Sequence, residues 1–272
     1  MNNTVANITE IEQLVARGAI FFVGHSGGKD SQAMYAAIRK VVPHDQIRIV
    51  HADLGEIEWS GVKQHIVDTA VHETLIAQAI FKDGTEKNFF SMVRARRAKL
   101  DSDGKVDAPA FPDIKSRFCT SDLKTGPIWK VIRNAGTYPI VVNCVGIRGD
   151  ESRSRQDKID DRGTLNTNKK NTNGRRDAFD WWPIAHWTID QVWAEIANAG
   201  QVPHPAYEKN ERLSCCFCIF GSRNDLRHAA AQRPELLQKY TELEAEVRTT
   251  MFNGESLADR IGNLAGIPII TE

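Results

Sequence analysis

Apolar residues in this chain fall into two kinds of run, one continuous and one with helical spacing. Continuous runs predict strands that are buried on both faces, and spaced runs predict amphipathic helices. The strand candidates are residues 19–24, 46–53, 79–81 and 138–147, and the helix candidates are residues 8–17, 33–41 and 62–76. Because strands alternate with helices, we expect an α/β fold: three layers, with a mostly parallel sheet and helices on both faces. Ligands would then bind beyond the carboxyl ends of the strands.

The last third of the chain is predicted to be helical. Thr188 and Gln191 have the spacing of a capping box, and Gly200 ends the helix that they begin. Pro234 begins another helix, whose apolar residues form a single stripe. We therefore expect helices over this region, with turns between them.

Three segments define the predicted domain organisation. We expect an α/β domain over residues 1–185 and a helical, cysteine-bearing region over residues 186–272, packed together as one structural unit. Within the first, residues 155–180 contain few large apolar side chains and many Asn, Asp, Lys and Arg. We interpret this segment as a mobile excursion, either a solvated loop or a lid over a substrate.

Composition narrows the class of protein. Lys+Arg and Asp+Glu both number 35, so the formal net charge is zero, which argues against a general polyanion binder but allows a local basic groove. Apolar residues make up 41% of the chain, as in a packed globular protein. No apolar run reaches the roughly 20 residues of a membrane helix, and the N-terminus has no basic region followed by an apolar core. We expect a cytoplasmic protein without a membrane partner.

The sequence Ser-Gly-Gly-Lys-Asp-Ser, residues 26–31, lies between the first predicted strand and its helix. Gly27 and Gly28 permit a tight turn and the close approach of a ligand to the backbone. The start of the helix offers N–H groups and the positive end of its dipole, Ser26 and Ser31 add hydroxyls, and Lys29 adds a positive charge. Together these groups predict a phosphate-binding cradle. A glycine turn without a ligand is the alternative.

This stretch resembles the PP-loop of the ATP pyrophosphatase superfamily. The resemblance implies that the chain binds ATP or a related adenylyl nucleotide, with Mg²⁺ as a candidate companion, and that Lys29 and Asp30 take part in chemistry at the phosphates. Asp53, at the end of the second strand, is expected to accept hydrogen bonds from the ribose or adenine; a turn or helix cap is its alternative role. Gly146 permits a turn after the fourth strand, and Arg148 and Arg153 are expected to bind an anion or leaving group.

Further motifs follow in the second half of the chain. They are the stretch Trp-Pro-Ile-Ala-His-Trp-Thr from Trp182, a Val-Trp pair at Val192, a Pro-His-Pro-Ala-Tyr element at Pro203 and a Cys-Cys-Phe-Cys turn from Cys215. In this order they resemble the phosphoadenosine phosphosulfate (PAPS) reductase family, and the resemblance covers roughly residues 20–230. The tryptophans themselves are typical of a packed core.

Cysteines are the second candidate site. Cys215 and Cys218 have the Cys-x-x-Cys spacing that lets two thiolates reach one metal ion. The resemblance places Cys119 and the nearby Lys124 beside them and implies a [4Fe–4S] cluster. Cys216 is the candidate fourth ligand, unless one iron stays open for a sulfur species. Zinc, free thiols or a redox disulfide are the alternatives, and Cys144, inside an apolar run, is expected to be a buried bystander.

Two departures from the reductases shape the functional hypothesis. No cysteine follows Cys218, whereas reductases of this family resolve a thiosulfonate with a C-terminal cysteine, and the complete loop motif is more similar to that of relatives that use ATP. We expect an ATP-dependent sulfur-transfer enzyme with a sulfur donor or thiol reductant as partner. A thiol-dependent PAPS or APS reductase and a non-catalytic nucleotide-binding subunit are the alternatives. A homo-oligomer is left open.

Two basic runs are candidates for contact with a nucleic acid acceptor, although such runs are usually solvated surfaces. One lies on a predicted helix and the other in the polar segment; their residues are Arg94, Arg96, Arg97 and Lys99, and Lys169, Lys170, Arg175 and Arg176.

Overall fold

The computed structural model of the protein describes residues 3–262. By its contacts the chain divides into two compact units, each assembled from separate segments. We call the first the sheet unit; it comprises Met1–Ala52, Gly61–Ala77 and Ile128–His204. We call the second the cysteine unit; it comprises Asp53–Ser60, Gln78–Pro127 and Pro205–Glu272.

A single sheet organises the fold. Within the described residues its strands are β1 (Ile20–Gly24), β2 (Ile47–Asp53), β3 (Thr74–Gln78), β4 (Ile140–Cys144), β5 (Leu165–Thr167) and β6 (Asp177–Trp181), in the order β3-β2-β1-β4-β6-β5. β1 pairs in parallel with β2 and with β4, β4 pairs in parallel with β6, and only the short β5 is seen to run antiparallel to its neighbour. The predicted α/β class with a mostly parallel sheet is confirmed.

Helices connect and cover the strands. In chain order they are α1 (Ile8–Ala16), α2 (Lys29–Ile38), α3 (Val62–Thr69), α4 (Phe89–Ser102), α5 (Phe118–Thr120), α6 (Gly126–Asn134), α7 (Arg153–Arg162), α8 (Ile189–Asn198), α9 (Arg223–Gln232), α10 (Pro234–Val247) and α11 (Leu257–Ile261). The predicted capping box is confirmed: the Thr188 hydroxyl accepts the Gln191 N–H, and the Gln191 amide oxygen accepts the Thr188 N–H. α10 begins at Pro234, as predicted.

Each unit has its own apolar core. In the sheet unit, Phe22 of β1 and Val141 of β4 are fully buried together with Ile132 of α6, which explains the continuous apolar runs of these strands. In the cysteine unit several aromatic rings pack around one tyrosine. Tyr240 of α10 lies with its ring centroid 5.2 Å from that of Phe217 and 5.1 Å from that of Phe90.

Three sequence predictions about the fold were wrong: a strand, the end of a helix and a mobile excursion. The third strand is Thr74–Gln78, not residues 79–81, because the helix predicted over 62–76 ends at Thr69 and leaves a β-branched stretch free to pair. Residues 155–180 are not an excursion: they contain most of α7, the short β5 and the inner strand β6. The Asp180 carboxylate, which made this segment look solvated, accepts hydrogen bonds from the side-chain amides of Asn143 and Asn168 at 2.8 and 2.7 Å.

Among residues 3–262 no helix is both long and apolar enough to span a bilayer.

Candidate functional site

The loop between β1 and α2 has the shape expected of a phosphate cradle. Gly27 has a φ of +74°, which few residues other than glycine adopt, and α2 begins at Lys29 without a side-chain cap. The Ser31 hydroxyl accepts the Ser26 N–H at 3.1 Å and donates to the Gly28 carbonyl oxygen at 2.8 Å. Ser31 therefore braces the loop itself instead of offering the free hydroxyl that the motif suggested.

The residue directly before the motif, His25, was not predicted to have a role, but it holds the loop through a hydrogen bond. His25 is 1% exposed, and its Nδ1 accepts the Gly27 N–H at 3.1 Å. Its carbonyl oxygen accepts a hydrogen bond from Nδ1 of the buried His51 at 3.0 Å. Burial, with smaller effects from His65 and His51, lowers the pKa of His25 to about 3, so the imidazole stays neutral and keeps Nδ1 as an acceptor. Only the position of His25 directly before the motif hinted at this role.

The charged residues of the motif form an ion-pair network. Asp30 accepts a hydrogen bond from Nε of Arg148 at 2.6 Å, and Nζ of Lys29 lies 3.4 Å from its other oxygen. Arg148 is 3% exposed, and its Nη1 donates to Asp150 at 3.0 Å and to the Trp187 carbonyl oxygen at 3.2 Å. The guanidinium is thus engaged by protein acceptors on two of its three nitrogens, and it positions Asp30 behind the loop.

The other residues that were predicted to bind the nucleotide differ in their surroundings and contacts. A Cβ at Gly146 would lie 3.2 Å from the carbonyl carbon and oxygen of Asp30, so a larger residue there would crowd the start of α2 where the chain passes it after β4. Asp53 ends β2, and its carboxylate accepts the Gly55 N–H at 2.9 Å, as a turn residue does. Arg153 lies on α7 with its side chain 90% exposed and paired with Asp157 at 2.8 Å.

In the cysteine unit, Lys124 lies on a π-helical turn, Ser121–Thr125, that follows Cys119 of α5. Pro127 accounts for this turn, because a proline ring collides with the carbonyl group four residues earlier in a regular helix. Gly126 fits where a Cβ would lie 2.9 Å from the Ser121 carbonyl oxygen. Widened turns of this kind are frequent at functional sites, and this one carries Lys124 five residues after Cys119.

Electrostatics place three sulfur atoms around Lys124. The Cys215 sulfur is the largest influence that raises the pKa of Lys124, with Cys218 and Cys119 adding to it against the opposing effect of burial. Burial raises the pKa of Cys215 to about 12 and raises that of Cys119, while Lys124 opposes both shifts. Coulombic influence weakens with distance, so these mutual effects indicate that the three thiols and the ammonium group lie in the same region of the cysteine unit.

Cys216 and Tyr240 complete the surroundings. Cys216 is 2% exposed, its N–H donates to the Ile57 carbonyl oxygen at 2.8 Å, and Arg233, not Lys124, opposes the burial that raises its pKa to about 12. The Tyr240 hydroxyl is buried without a hydrogen-bond partner in the described chain, and burial and the neighbouring sulfurs raise its pKa. We call Cys119, Cys215, Cys218 and Lys124 the sulfur group; the Tyr240 hydroxyl beside it is a donor without an acceptor in the described chain.

The thiols do not fit the predicted metal centre. All five cysteines are free, and across residues 3–262 no group of three or more His, Cys, Asp or Glu side chains is arranged to hold a metal ion. A [4Fe–4S] cluster and the zinc alternative are therefore unsupported by this arrangement. Cys216 is not among the sulfurs that raise the pKa of Lys124, and its role as a fourth ligand stays a prediction. Mg²⁺ stays a prediction; the carboxylate of Asp30, beside the phosphate cradle, is engaged by Arg148 and Lys29.

The chain matches a known protein family over most of its length. The sequence-family model of the phosphoadenosine phosphosulfate reductase domain matches residues 20–220. The chain belongs to this family. The match includes the phosphate cradle, Lys124 and all the cysteines, so the predicted resemblance is confirmed.

Individual relatives are distant from this PAPS reductase family member. An uncharacterized 37.8 kDa protein of Escherichia phage 186 is 28% identical over 149 residues, which are 54% of this chain and 42% of that protein. The chain thus spans less than half the length of this relative. A PAPS reductase from Candida auris in complex with phosphate is 12% identical with a TM-score of 0.43, covering 72% of this chain and 83% of that one. The FMN adenylyltransferase of Candida glabrata with FMN and an ATP analogue is 13% identical with a TM-score of 0.30, covering 70% and 54%.

Proposed function

We propose that the loop over residues 26–31 binds the phosphates of an adenine nucleotide. The observation that carries this proposal is the conformation of Gly27, at φ +74° between β1 and the uncapped start of α2. The uncapped start of a helix offers backbone N–H groups and the positive end of the helix dipole to an anion. Lys29, 8% exposed, adds a positive charge at the same helix start.

The reaction proposed is cleavage of ATP between its α- and β-phosphates in support of sulfur transfer. An oxygen of the acceptor attacks the α-phosphorus, the bond to the bridging oxygen breaks, and pyrophosphate leaves. A sulfur donor first transfers a sulfane sulfur to one protein thiolate, which becomes a persulfide as the donor's own thiolate leaves. The terminal persulfide sulfur displaces AMP from the adenylated acceptor, so that a carbon–oxygen bond is exchanged for a carbon–sulfur bond. A second protein thiol attacks the resulting disulfide and releases the thiolated acceptor, and an external thiol reduces the protein disulfide that forms. Arg148 positions Asp30 in this scheme, and Lys29 offsets negative charge on the phosphates.

The sulfur chemistry is assigned to Cys119, Cys215 and Cys218. Lys124 opposes the burial that raises the pKa of Cys119 and Cys215, and thiolates are the nucleophiles in sulfur exchange. The unpartnered hydroxyl of Tyr240 supports a site that receives a further group, since a buried donor without an acceptor is costly. No step is assigned to an iron–sulfur cluster, because the described side chains are not arranged to bind one.

Reduction of PAPS or APS to sulfite is the second candidate, and both the family match and the grouped thiols favour it. One thiolate would attack the sulfonate sulfur and release the nucleotide. A second thiol would then release sulfite from the thiosulfonate as a disulfide forms, and an external thiol would regenerate the pair.

One assay distinguishes these reactions. Anaerobic protein is incubated with ATP and candidate acceptors, or with PAPS and a thiol, while pyrophosphate, AMP and sulfite are measured. Lys29→Met is expected to abolish either activity, and the exposed Lys82→Met is its matched control. Cys215→Ser should abolish sulfur transfer, whereas Cys216→Ala should retain it. Sulfite from PAPS without any turnover of ATP would replace the first candidate with the second.

Two further measurements complete the test. Tight ATP binding without any product would identify a non-catalytic nucleotide-binding subunit instead of an enzyme. Iron and sulfide analysis of protein purified without oxygen is expected to find neither element in stoichiometric amount, and a visible spectrum typical of an iron–sulfur cluster would contradict that expectation.

A further inference from the structure

The connection between β5 and β6, residues 168–176, is strongly basic and is called here the basic hairpin loop. It contains no Asp or Glu, and its cations are Lys169, Lys170, Arg175 and Arg176. The first three are exposed. Within the described chain none of the four has a carboxylate partner, and the nearest acidic residue in sequence, Asp177, lies 3.9 Å from Arg17.

Uncharged amides hold this loop in shape. Asn168 accepts the N–H of Asn171 at 3.2 Å and also a side-chain N–H of Asn171 at 3.1 Å. Asn173 accepts the Arg175 N–H at 2.9 Å, and Asn171 accepts a hydrogen bond from Arg133 at 2.9 Å. Asp could satisfy several of the same backbone donors, but it would neutralise the loop. The amides therefore order a turn and leave its full positive charge in place.

The other basic run of the chain is different. On α4, Arg94 is paired with Glu246 at 2.8 Å, Arg97 with Asp101 at 2.9 Å, and Lys99 with Asp103 at 3.2 Å. These cations are already neutralised by neighbours within the cysteine unit. The two basic runs, which look alike in sequence, therefore differ in whether their cations are paired with carboxylates.

A neighbouring helix extends the charged surface. Arg133 and Lys130, both exposed, lie one turn apart on α6, and Arg133 contacts the loop through Asn171. Arg176 donates only from Nη2, to the Arg133 carbonyl oxygen at 3.4 Å, and its Nε and Nη1 are without partners in the described chain. These two nitrogens are buried, so the groups that a phosphate can reach on this surface are the exposed cations Lys169, Lys170, Arg175, Lys130 and Arg133.

We propose that the basic hairpin loop, together with Arg133 and Lys130 of α6, binds the phosphodiester backbone of a nucleic acid. The chain has no net charge, so this surface is a local feature and not part of a general positive field. The loop has no aromatic or large aliphatic residue that would insert into a lipid surface, whereas its amides and guanidinium groups are typical donors to phosphate. This proposal does not depend on the nucleotide chemistry proposed above.

Fluorescence anisotropy with labelled duplex DNA, single-stranded DNA and RNA of equal length, over a range of salt concentrations, tests the proposal. The variant Lys169→Gln/Lys170→Gln/Arg175→Gln should bind at least about tenfold more weakly. The slope of log K against log salt should become shallower by about 0.9 for each duplex phosphate that the variant leaves unneutralised, or by about 0.7 on a single strand. The matched control, Arg94→Gln/Lys99→Gln, removes cations that are already paired and should bind like the wild type.

Three results would overturn the proposal: equal affinity of the hairpin variant and the wild type, affinity that does not depend on salt, or binding to anionic vesicles without binding to any nucleic acid. Both variants alter exposed side chains, so their unfolding midpoints should match that of the wild type. Loss of ATP turnover in the Lys29→Met variant with nucleic acid binding intact would show that the two proposals stand or fall separately.

Discussion

Arg148 offers the sharpest test of how the phosphate cradle is held. The sequence suggests that its guanidinium binds an anion, whereas the structure engages it with Asp30, Asp150 and the Trp187 carbonyl oxygen. If it is a structural bracket, Arg148→Met should cost about 3–5 kcal/mol of unfolding free energy, the usual result when one partner of a buried ion pair is removed. Asp30→Asn should cost about 1.5–3 kcal/mol, the value of a hydrogen bond to a charged group.

A double-mutant cycle measured by urea unfolding at pH 7 separates the two roles. Arg148→Met and Asp30→Asn should be coupled by about 1–3 kcal/mol, because they remove the same interaction. The control cycle uses Arg153→Met and Asp157→Asn, an exposed pair at a similar distance of 2.8 Å, and its coupling should stay below about 0.5 kcal/mol.

The structural role of Arg148 would be refuted by a coupling no larger than that of the control pair, combined with a loss of ATP affinity in Arg148→Met at unchanged stability. That result would mean that the guanidinium leaves Asp30 to bind the nucleotide. The Arg148→Lys variant guards against a protein too unstable to assay, because a lysine retains the charge and can reach one acceptor.

Further predictions concern the loop and the sulfur group. Gly146→Ala should weaken ATP binding measured by calorimetry and destabilise the fold by about 1–3 kcal/mol through its contact with Asp30, whereas Gly174→Ala, in open space, should change neither. The pKa of His25 is about 3 in the folded chain and ordinary in the unfolded chain, so below about pH 6.5 the unfolded chain binds one more proton. The free energy of unfolding should therefore fall by up to about 1.4 kcal/mol per pH unit from there towards pH 3. Urea titrations of His25→Asn should show a smaller dependence of this free energy on pH. Lys124→Met should slow alkylation of Cys215 by iodoacetamide at mildly alkaline pH, since the cation that favours the thiolate is lost; an unchanged rate would show that Lys124 acts on other groups.

The sequence predicted the features that depend on local pattern. Buried strands such as β1, the glycine turn at Gly27 and the capping box at Thr188 each require particular residues within a few positions, and all three are present. Two charge partners could not be predicted, Asp30 of Arg148 and Glu246 of Arg94, because they lie far away in the chain. The α4 pairs Arg97–Asp101 and Lys99–Asp103, in contrast, have the i,i+4 spacing of helical neighbours. The polar strand β6 was not predicted for a similar reason. Its Asp180 carboxylate accepts hydrogen bonds from Asn143 and Asn168 only after the chain has folded.

The strand order has a consequence for how the protein is made. Phe21 of β1 pairs on one side with Ile47 and on the other with Val142 of β4, about 120 residues later in synthesis. At roughly 5–20 residues per second, the ribosome needs roughly 6–24 s to supply that second neighbour. During this interval the apolar edge Ile-Phe-Phe-Val is open to other nascent chains, so slow translation, or a chaperone that covers residues 20–23, should decide how much of the protein is recovered intact.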